Sequence, residues 1–301
     1  MRVAVAFVLC LLASGLQGQI RKPSADDLFN EAMKAAQAED YPKAELWLRE
    51  MRLSYPQDQR AGTALINVLE SANKLGEALR VGRELQVQYK ASPAFHMGVG
   101  RVLLKLDRVS EALTEFQTAL RSAGDAWTKE QAYVLIGDAQ RASGNLDAAI
   151  ASYRQAKDVS GRPQFQLAFS LGERGDVDGE IREYRALLAL NPGQPTVLNN
   201  LAYTYSERGQ NLNEALSYVL QALLSEPNNS YFVDTLGWVY YKQGRFDDAE
   251  RELVRATRME DGDALLLNTG EIIIVRAADE DVLDIVCADA AATARIAWHL
   301  G

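Results

Sequence analysis

A residue pattern that returns at a fixed interval constrains this chain more than any other feature. A repeat period in the range of roughly 20–50 residues commits a sequence to a stacked array. A small residue follows a short turn at Ala44, Ala78, Ala112, Ala149, Ala215 and Ala249, and Glu180 stands in the corresponding place between Ala149 and Ala215. The steps between these seven markers are 34, 34, 37, 31, 35 and 34 residues. A unit of that size cannot bury its own apolar face, so it must be stabilised by the units stacked on either side.

Each unit reads as two helices. The first carries a large residue followed by a small one, as in Val99-Gly100, Leu135-Ile136-Gly137, Leu167-Ala168, Leu201-Ala202 and Leu236-Gly237. A small residue is what a close helix approach requires. A bulky residue one turn later, at Leu103, Leu171, Tyr205 and Tyr240, keeps to the same core-facing side. Gly144, Gly175, Gly209 and Gly244 are placed to stop first helices, since glycine adopts the left-handed closing conformation at low cost. Second helices are expected to begin near Asp147, Asp178, Asn213 and Asp247, residue types that satisfy free amides at a helix start. Pro56, Pro192 and Pro227 end second helices, because proline cannot continue the hydrogen-bond ladder.

The set Leu236, Gly237, Tyr240, Gly244, Phe246, Ala249, Leu253 and Ala256 resembles the tetratricopeptide repeat, and similar matches recur from about Ala25 to Asp263. The resemblance implies an all-α, right-handed superhelical solenoid of about seven helix-turn-helix repeats with an irregular C-terminal cap. The repeats run over 25–58, 59–92, 93–126, 127–160, 161–194, 195–229 and 230–263. Departures are Glu180 at a small-residue position, one extra residue in "RGQNLNEA", and no early Trp in any unit. Residues 264–301 break the pattern with the β-branched run Ile272–Val275 and then an Ala-rich stretch expected to be helical. They read as a cap combining a helix with a short strand or loop. A truncated further repeat, whose large-small pair is Leu300-Gly301 in "AWHLG", is the alternative.

The N-terminus, "MRVAVAFVLCLLASGLQGQ", places Arg2 before an apolar run from Val3 to Ala13 and then small and polar residues. That is the layout of a secretory signal peptide, assigned to residues 1–18 with cleavage after Gly15 or Gly18, and the run is short for a membrane span. Export to the bacterial periplasm or the medium is expected, and the cleaved protein is not expected to be integral to a membrane. By a eukaryotic route, "NNS" at Asn228 would be a glycosylation sequon. Of the two cysteines, Cys10 lies in the signal, so Cys287 is left without an internal disulfide partner. Net charge is −9, and removing Arg2 from 32 bases leaves 31 against 41 acids. The basic footprint of a nucleic-acid binder is missing, so no nucleic-acid partner is expected.

Catalytic signatures are absent from the sequence. His96 and His299 stand in no metal-ligand spacing, "GVG" at Gly98–Gly100 opens no phosphate loop, and Cys287 has no histidine near it in sequence. Asp247-Asp248 and Asp279-Glu280-Asp281 sit where acids favour a helix start or a polar loop. No enzyme activity, metal or cofactor is therefore expected.

A repeat array instead offers an extended surface, and function lies in what that surface holds. In tetratricopeptide proteins the inner groove is lined by first helices, chiefly at the residue after the small position and its neighbours one turn away. Carried onto this sequence, those places are Phe165 and Phe169, Asn199 and Tyr203, and Asp234, Trp238 and Tyr241. Spacings of four put Phe165/Phe169, Asn199/Tyr203 and Asp234/Trp238 each on one helix face. A protein partner's peptide or helix is the expected ligand, with packing of the same rings into the core as the competing account. Phe29, Met33, Asn67, Met97 and Arg101 occupy matching places nearer the N-terminus and form a less coherent set. The Lys/Asn/Arg constellation that clamps a C-terminal carboxylate in some relatives is absent. The expected function is a non-catalytic scaffold or adaptor of the cell envelope. The alternative is the recruiting module of a larger enzyme or glycosyltransferase complex.

Overall fold

The computed structural model describes residues 22–162 and 164–260 and, as backbone only, four strands after them. The helices are α1 (Ala25–Gln37), α2 (Tyr41–Ser54), α3 (Gln59–Ser71), α4 (Leu75–Gln88), α5 (Pro93–Lys105), α6 (Val109–Ser122), α7 (Ala126–Ala142), α8 (Leu146–Ser160), α9 (Phe165–Glu173), α10 (Val177–Leu190), α11 (Pro195–Glu207), α12 (Leu212–Ser225), α13 (Ser230–Lys242) and α14 (Phe246–Glu260). They form antiparallel pairs in two compact units, Met1–Gly124 and Asp125–Gly301. Within each unit the second helix of a pair packs on the first helix of the next, which is how helical repeats share one core. The expected signal peptide, Cys10, Cys287 and His299 lie outside the described residues.

The large-small pairs do what close approach demands. A Cβ added at Gly100 would sit 2.3 Å from the Phe116 ring, and one at Gly137 would sit 2.4 Å from Tyr153. Phe116 and Tyr153 have no solvent exposure, so neither ring has room to retreat. In the second unit, Ala168, Tyr184, Leu201, Ala202, Tyr205, Val219 and Val239 share a further core cluster.

Every first helix closes at the same register. Glu39, Asn73 and Asp107 adopt φ of 57°, 55° and 58° in the first unit, and Gly144, Gly175, Gly209 and Gly244 adopt 78°, 87°, 61° and 75° in the second. Glycine alone was legible as the stop signal; the other three residues serve the same turn at a conformational cost. The extra residue in "RGQNLNEA" is absorbed by Asn211, also left-handed at φ 52°. Second-helix caps lie earlier than the sequence suggested. Asn145 Oδ1 accepts from Ala148 N at 3.3 Å and Asp176 Oδ1 from Gly179 N at 3.0 Å. Asp147 and Asp178 instead lie in the first turn, where their charge favours the dipole.

After α14, the backbone forms β1 (Ala264–Leu266), β2 (Ile272–Val275), β3 (Val282–Val286) and β4 (Arg295–Trp298), an antiparallel meander in the order β1-β2-β3-β4. The β-branched run is strand β2, paired Ile272↔Ile285 and Val275↔Val282 with β3. Ala297 and Trp298, which the alternative of a truncated repeat would put at a helix start, pair with Asp284 and Leu283. Satisfying the backbone across strands leaves no helix there. The Ala-rich stretch before β4 lies outside the described residues.

Candidate functional site

The expected strip lies on α9, α11 and α13 of the second unit, and its members differ in depth. Tyr203 is 48% exposed and Phe169 38%, whereas Phe165, Asp234, Trp238 and Tyr241 are half-buried and Asn199 is only 7% exposed. The rings are therefore neither wholly core nor wholly displayed. Phe165 stacks on Phe169 with centroids 6.4 Å apart and leans its other side on buried Tyr184 at 5.8 Å. Trp238 stacks on Tyr241 at 5.2 Å, and Tyr241 meets Phe246 at 5.7 Å. Phe165 is thus anchored on the core and steadies Phe169, while Tyr241 rests on half-buried Phe246.

Charged groups bind these rings across repeats. Trp238 Nε1 donates to Glu207 Oε1 at 2.5 Å. The Lys242 ammonium lies 4.7 Å from the Trp238 centroid and 3.8 Å from Glu207. On the other side, the Arg141 guanidinium stands 5.4 Å from the Phe169 centroid and pairs with Glu173 at 3.3 Å. Arg141, Glu173, Glu207 and Lys242 were missed at the level of sequence. The usable signal was opposite charges or ring and charge separated by about one repeat: Arg141 and Glu173 are 32 residues apart, Glu207 and Trp238 31.

Glu180 explains its own departure from the repeat. Its carboxyl fills the space a side chain at Gly172 would need, with Cδ 2.6 Å from a Cβ built there. Burial pushes this carboxyl up to about 7, against a weaker opposing hydrogen bond from Thr204. Burial also raises the neighbouring Tyr203 phenol, and the charges of Glu207, Asp234 and Glu180 raise it further. Asp138 on α7 is raised by burial as well, opposed by the Tyr153 hydroxyl that donates to it at 2.8 Å. Asn199 contributes a buried Oδ1 with no hydrogen-bond partner in the protein. A buried amide oxygen left unpaired costs free energy.

The N-terminal set does not make an equivalent surface. Met97 is buried, and Arg101 donates to Asn67 and pairs with Glu70 at 3.2 Å, so the polar members satisfy one another. Phe29 is half-buried beneath the Arg60 guanidinium, 5.3 Å from its centroid, and Met33 packs against the first unit's core. His96 belongs to a packed polar network, with Nδ1 2.7 Å from Glu115 Oε2. Burial pushes the Glu115 carboxyl up, but the His96 and Arg83 contacts outweigh that and hold it below the usual range. Among the described residues no cluster of His, Cys, Asp and Glu could hold a metal, and no helix is long and apolar enough to cross a membrane.

These helix pairs are those of a known repeat family. The tetratricopeptide repeat model matches residues 63–127, 99–163 and 235–274. Over those residues the chain carries tetratricopeptide repeats. It is 30% identical over 99 residues to the TPR repeat-containing protein PA4667 of Pseudomonas aeruginosa, a match covering 33% of this chain and 17% of that protein. A second stretch is 46% identical over 50 residues to the urease accessory protein UreE of Beijerinckia indica, covering 17% of this chain and 29% of the relative. The chain thus spans less than a third of either relative's length. Solved structures share the fold at low identity. A tetratricopeptide repeat protein from Parabacteroides merdae aligns over 78% of this chain and 93% of its own at 16% identity and a TM-score of 0.53. PilF of Pseudomonas aeruginosa aligns over 69% and 94% at 15% and 0.55. Cut9 and Hcn1 of the APC/C form a heterotetramer whose aligned chain matches over 72% and 43% at 13% and 0.57.

Proposed function

We propose that this protein is an exported, non-catalytic adaptor of the cell envelope that holds a partner protein's peptide or helix against the aromatic strip of its second unit. The fold makes a protein-interaction scaffold the coarse expectation. The observation that carries the finer reading is Tyr203, an aromatic side chain 48% exposed on α11, between the first helices that carry the stacked Phe165/Phe169 and Trp238/Tyr241 pairs. Aromatic anchors on a rigid face concentrate binding energy, typically about 2 kcal/mol or more at a hot spot. The signal-like N-terminus supports export, and the lack of any catalytic motif supports a binding role.

The test is a paired capture from envelope extract, using the chain from Gln19 and the same chain carrying Tyr203→Ala and Trp238→Ala, after circular dichroism shows equal helicity. A protein retained by the first and lost by the second identifies the partner. Equal recovery by both chains removes the strip from the function.

A further inference from the structure

A trough that shares no residue with the aromatic strip lies in the first unit, where the end of α2, the start of α3 and the end of α4 come together. It consists of a cavity of about 290 Å³ and an open hollow of about 570 Å³, both lined by Gln59, Gln88 and Tyr89. Its apolar wall is held in place: Leu85 is buried, and the Tyr89 ring leans on buried Phe95 at 5.4 Å while its hydroxyl donates to the Pro56 carbonyl. Leu53 and Val87, which also line the trough, are 81% and 73% exposed and stand 34 residues apart, at equivalent places in successive repeats. Exposed aliphatic side chains grouped around a concavity mark a surface that another chain covers.

The charges of the trough decide what kind of chain fits. Four charged residues line it: Arg49, Arg52, Asp58 and Lys90. Arg49 is engaged by Glu45 at 2.8 Å and Glu77 at 2.6 Å, and Asp58 gives both oxygens to Arg60, the shorter contact at 2.6 Å. The other acids on these helix ends, Glu50 and Glu84, accept from Ser54 and Arg80 and do not line the trough. Arg52, half-buried on α2, and Lys90, just past α4, have no carboxylate partner among the described residues. A carboxylate would supply the charge-assisted hydrogen bonds that these two cations lack, whereas a basic segment would meet like charge. The net charge of −9 opposes an acidic segment at long range, so the preference must come from contact and not from steering.

We propose that this trough docks an acidic segment of a partner protein, with one Glu or Asp carboxylate on Arg52, another at Lys90, and apolar side chains of the segment over Leu53 and Val87. The first unit then carries a docking surface of its own, whatever the strip of the second unit binds. The test uses labelled peptides of repeating Glu-Leu-Ala, Gln-Leu-Ala and Lys-Leu-Ala on the full chain from Gln19. Four chains of equal helicity by circular dichroism are compared: the unaltered one, Arg52→Gln/Lys90→Gln, Leu53→Ser/Val87→Ser, and Arg154→Gln/Arg182→Gln. The last removes the same charge from exposed second-helix positions of the second unit. The expected result is binding of Glu-Leu-Ala about tenfold tighter than of either other peptide, about tenfold weaker in each of the first two variants and unchanged in the third.

Failure to bind Glu-Leu-Ala, equal binding of Gln-Leu-Ala, or equal weakening by Arg154→Gln/Arg182→Gln would each overturn the proposal. Weakening by Arg52→Gln/Lys90→Gln with no effect of Leu53→Ser/Val87→Ser would reduce the trough to an ion contact and overturn the docking of a segment. Sedimentation of the chain without peptide distinguishes the remaining occupant. A monomer at all concentrations supports a separate partner, whereas association that Leu53→Ser/Val87→Ser abolishes would make the occupant a second copy of this chain and overturn it.

Discussion

Gly100 and Gly76 lie in helices of the same unit, yet their surroundings give opposite expectations. A methyl at Gly100 meets the immobile Phe116 ring at 2.3 Å, whereas one at Gly76 meets nothing within 4 Å. Gly100→Ala should cost about 1–3 kcal/mol by overpacking, and Gly76→Ala should gain up to about 1 kcal/mol from a stiffer helix. Urea midpoints followed by circular dichroism separate the two, and a Gly100→Ala protein as stable as the parent contradicts the packing account. Glu180 makes a second residue-scale prediction. Its folded value, about 7, exceeds the ordinary 4.5, so the folded state holds the proton more tightly than the unfolded chain does. Stability from this group is full below the ordinary value and is lost as pH rises through about 7. Glu180→Gln should therefore flatten the stability profile, with its advantage over the parent larger near pH 8 than near pH 5; an equal difference at both ends defeats the assignment. The sequence marked Glu180 as irregular, but only the contact with Gly172 shows where the carboxyl goes.

At the scale of the element, the turn between paired helices is one device written with two vocabularies. Four turns use glycine at positive φ and three use Glu39, Asn73 and Asp107. Left-handed backbone costs a side-chain-bearing residue about 1–2 kcal/mol, while glycine pays more backbone entropy on folding. Glu39→Gly should thus stabilise the first helix pair by up to about 1 kcal/mol, and Asn73→Gly by less, since asparagine tolerates the conformation. Thermal unfolding of the two variants checks the order, and destabilisation by Glu39→Gly would show that its side chain has a role the turn does not explain. Helix starts and stops were legible because proline, glycine and capping residues act locally. The caps were misplaced by a residue or two because several polar residues compete at each start, and hydrogen-bond geometry chooses Asn145 and Asp176. The strand at Arg295–Trp298 was not legible, since its pairing with Val282–Val286 is set across the chain and not by its own pattern.

At the scale of the whole molecule, repetition made the architecture readable while leaving the surface half read. Register one residue past the small position picked out Phe169, Tyr203 and Trp238, which lie on the first helices α9, α11 and α13, but register carries no depth. Asn199 proves buried and Tyr203 half exposed although both stand on the same face of α11. Nor does register reveal the cross-repeat partners Glu207 and Arg141, which depend on how one helix leans on the next. Because contacts in an array run between neighbours, a function confined to one set of repeats should survive removal of others. The whole strip, from Phe165 to Tyr241 with Arg141 and Lys242, falls inside the unit that begins at Asp125. A fragment of residues 125–263 should accordingly keep the helical signal per residue of the full chain and bind the same envelope partner within about threefold in affinity, a change below about 0.7 kcal/mol. Titration of fragment and full chain against the captured partner decides it. A helical fragment that no longer binds would place essential contacts outside residues 125–263, and the strip alone would not account for docking.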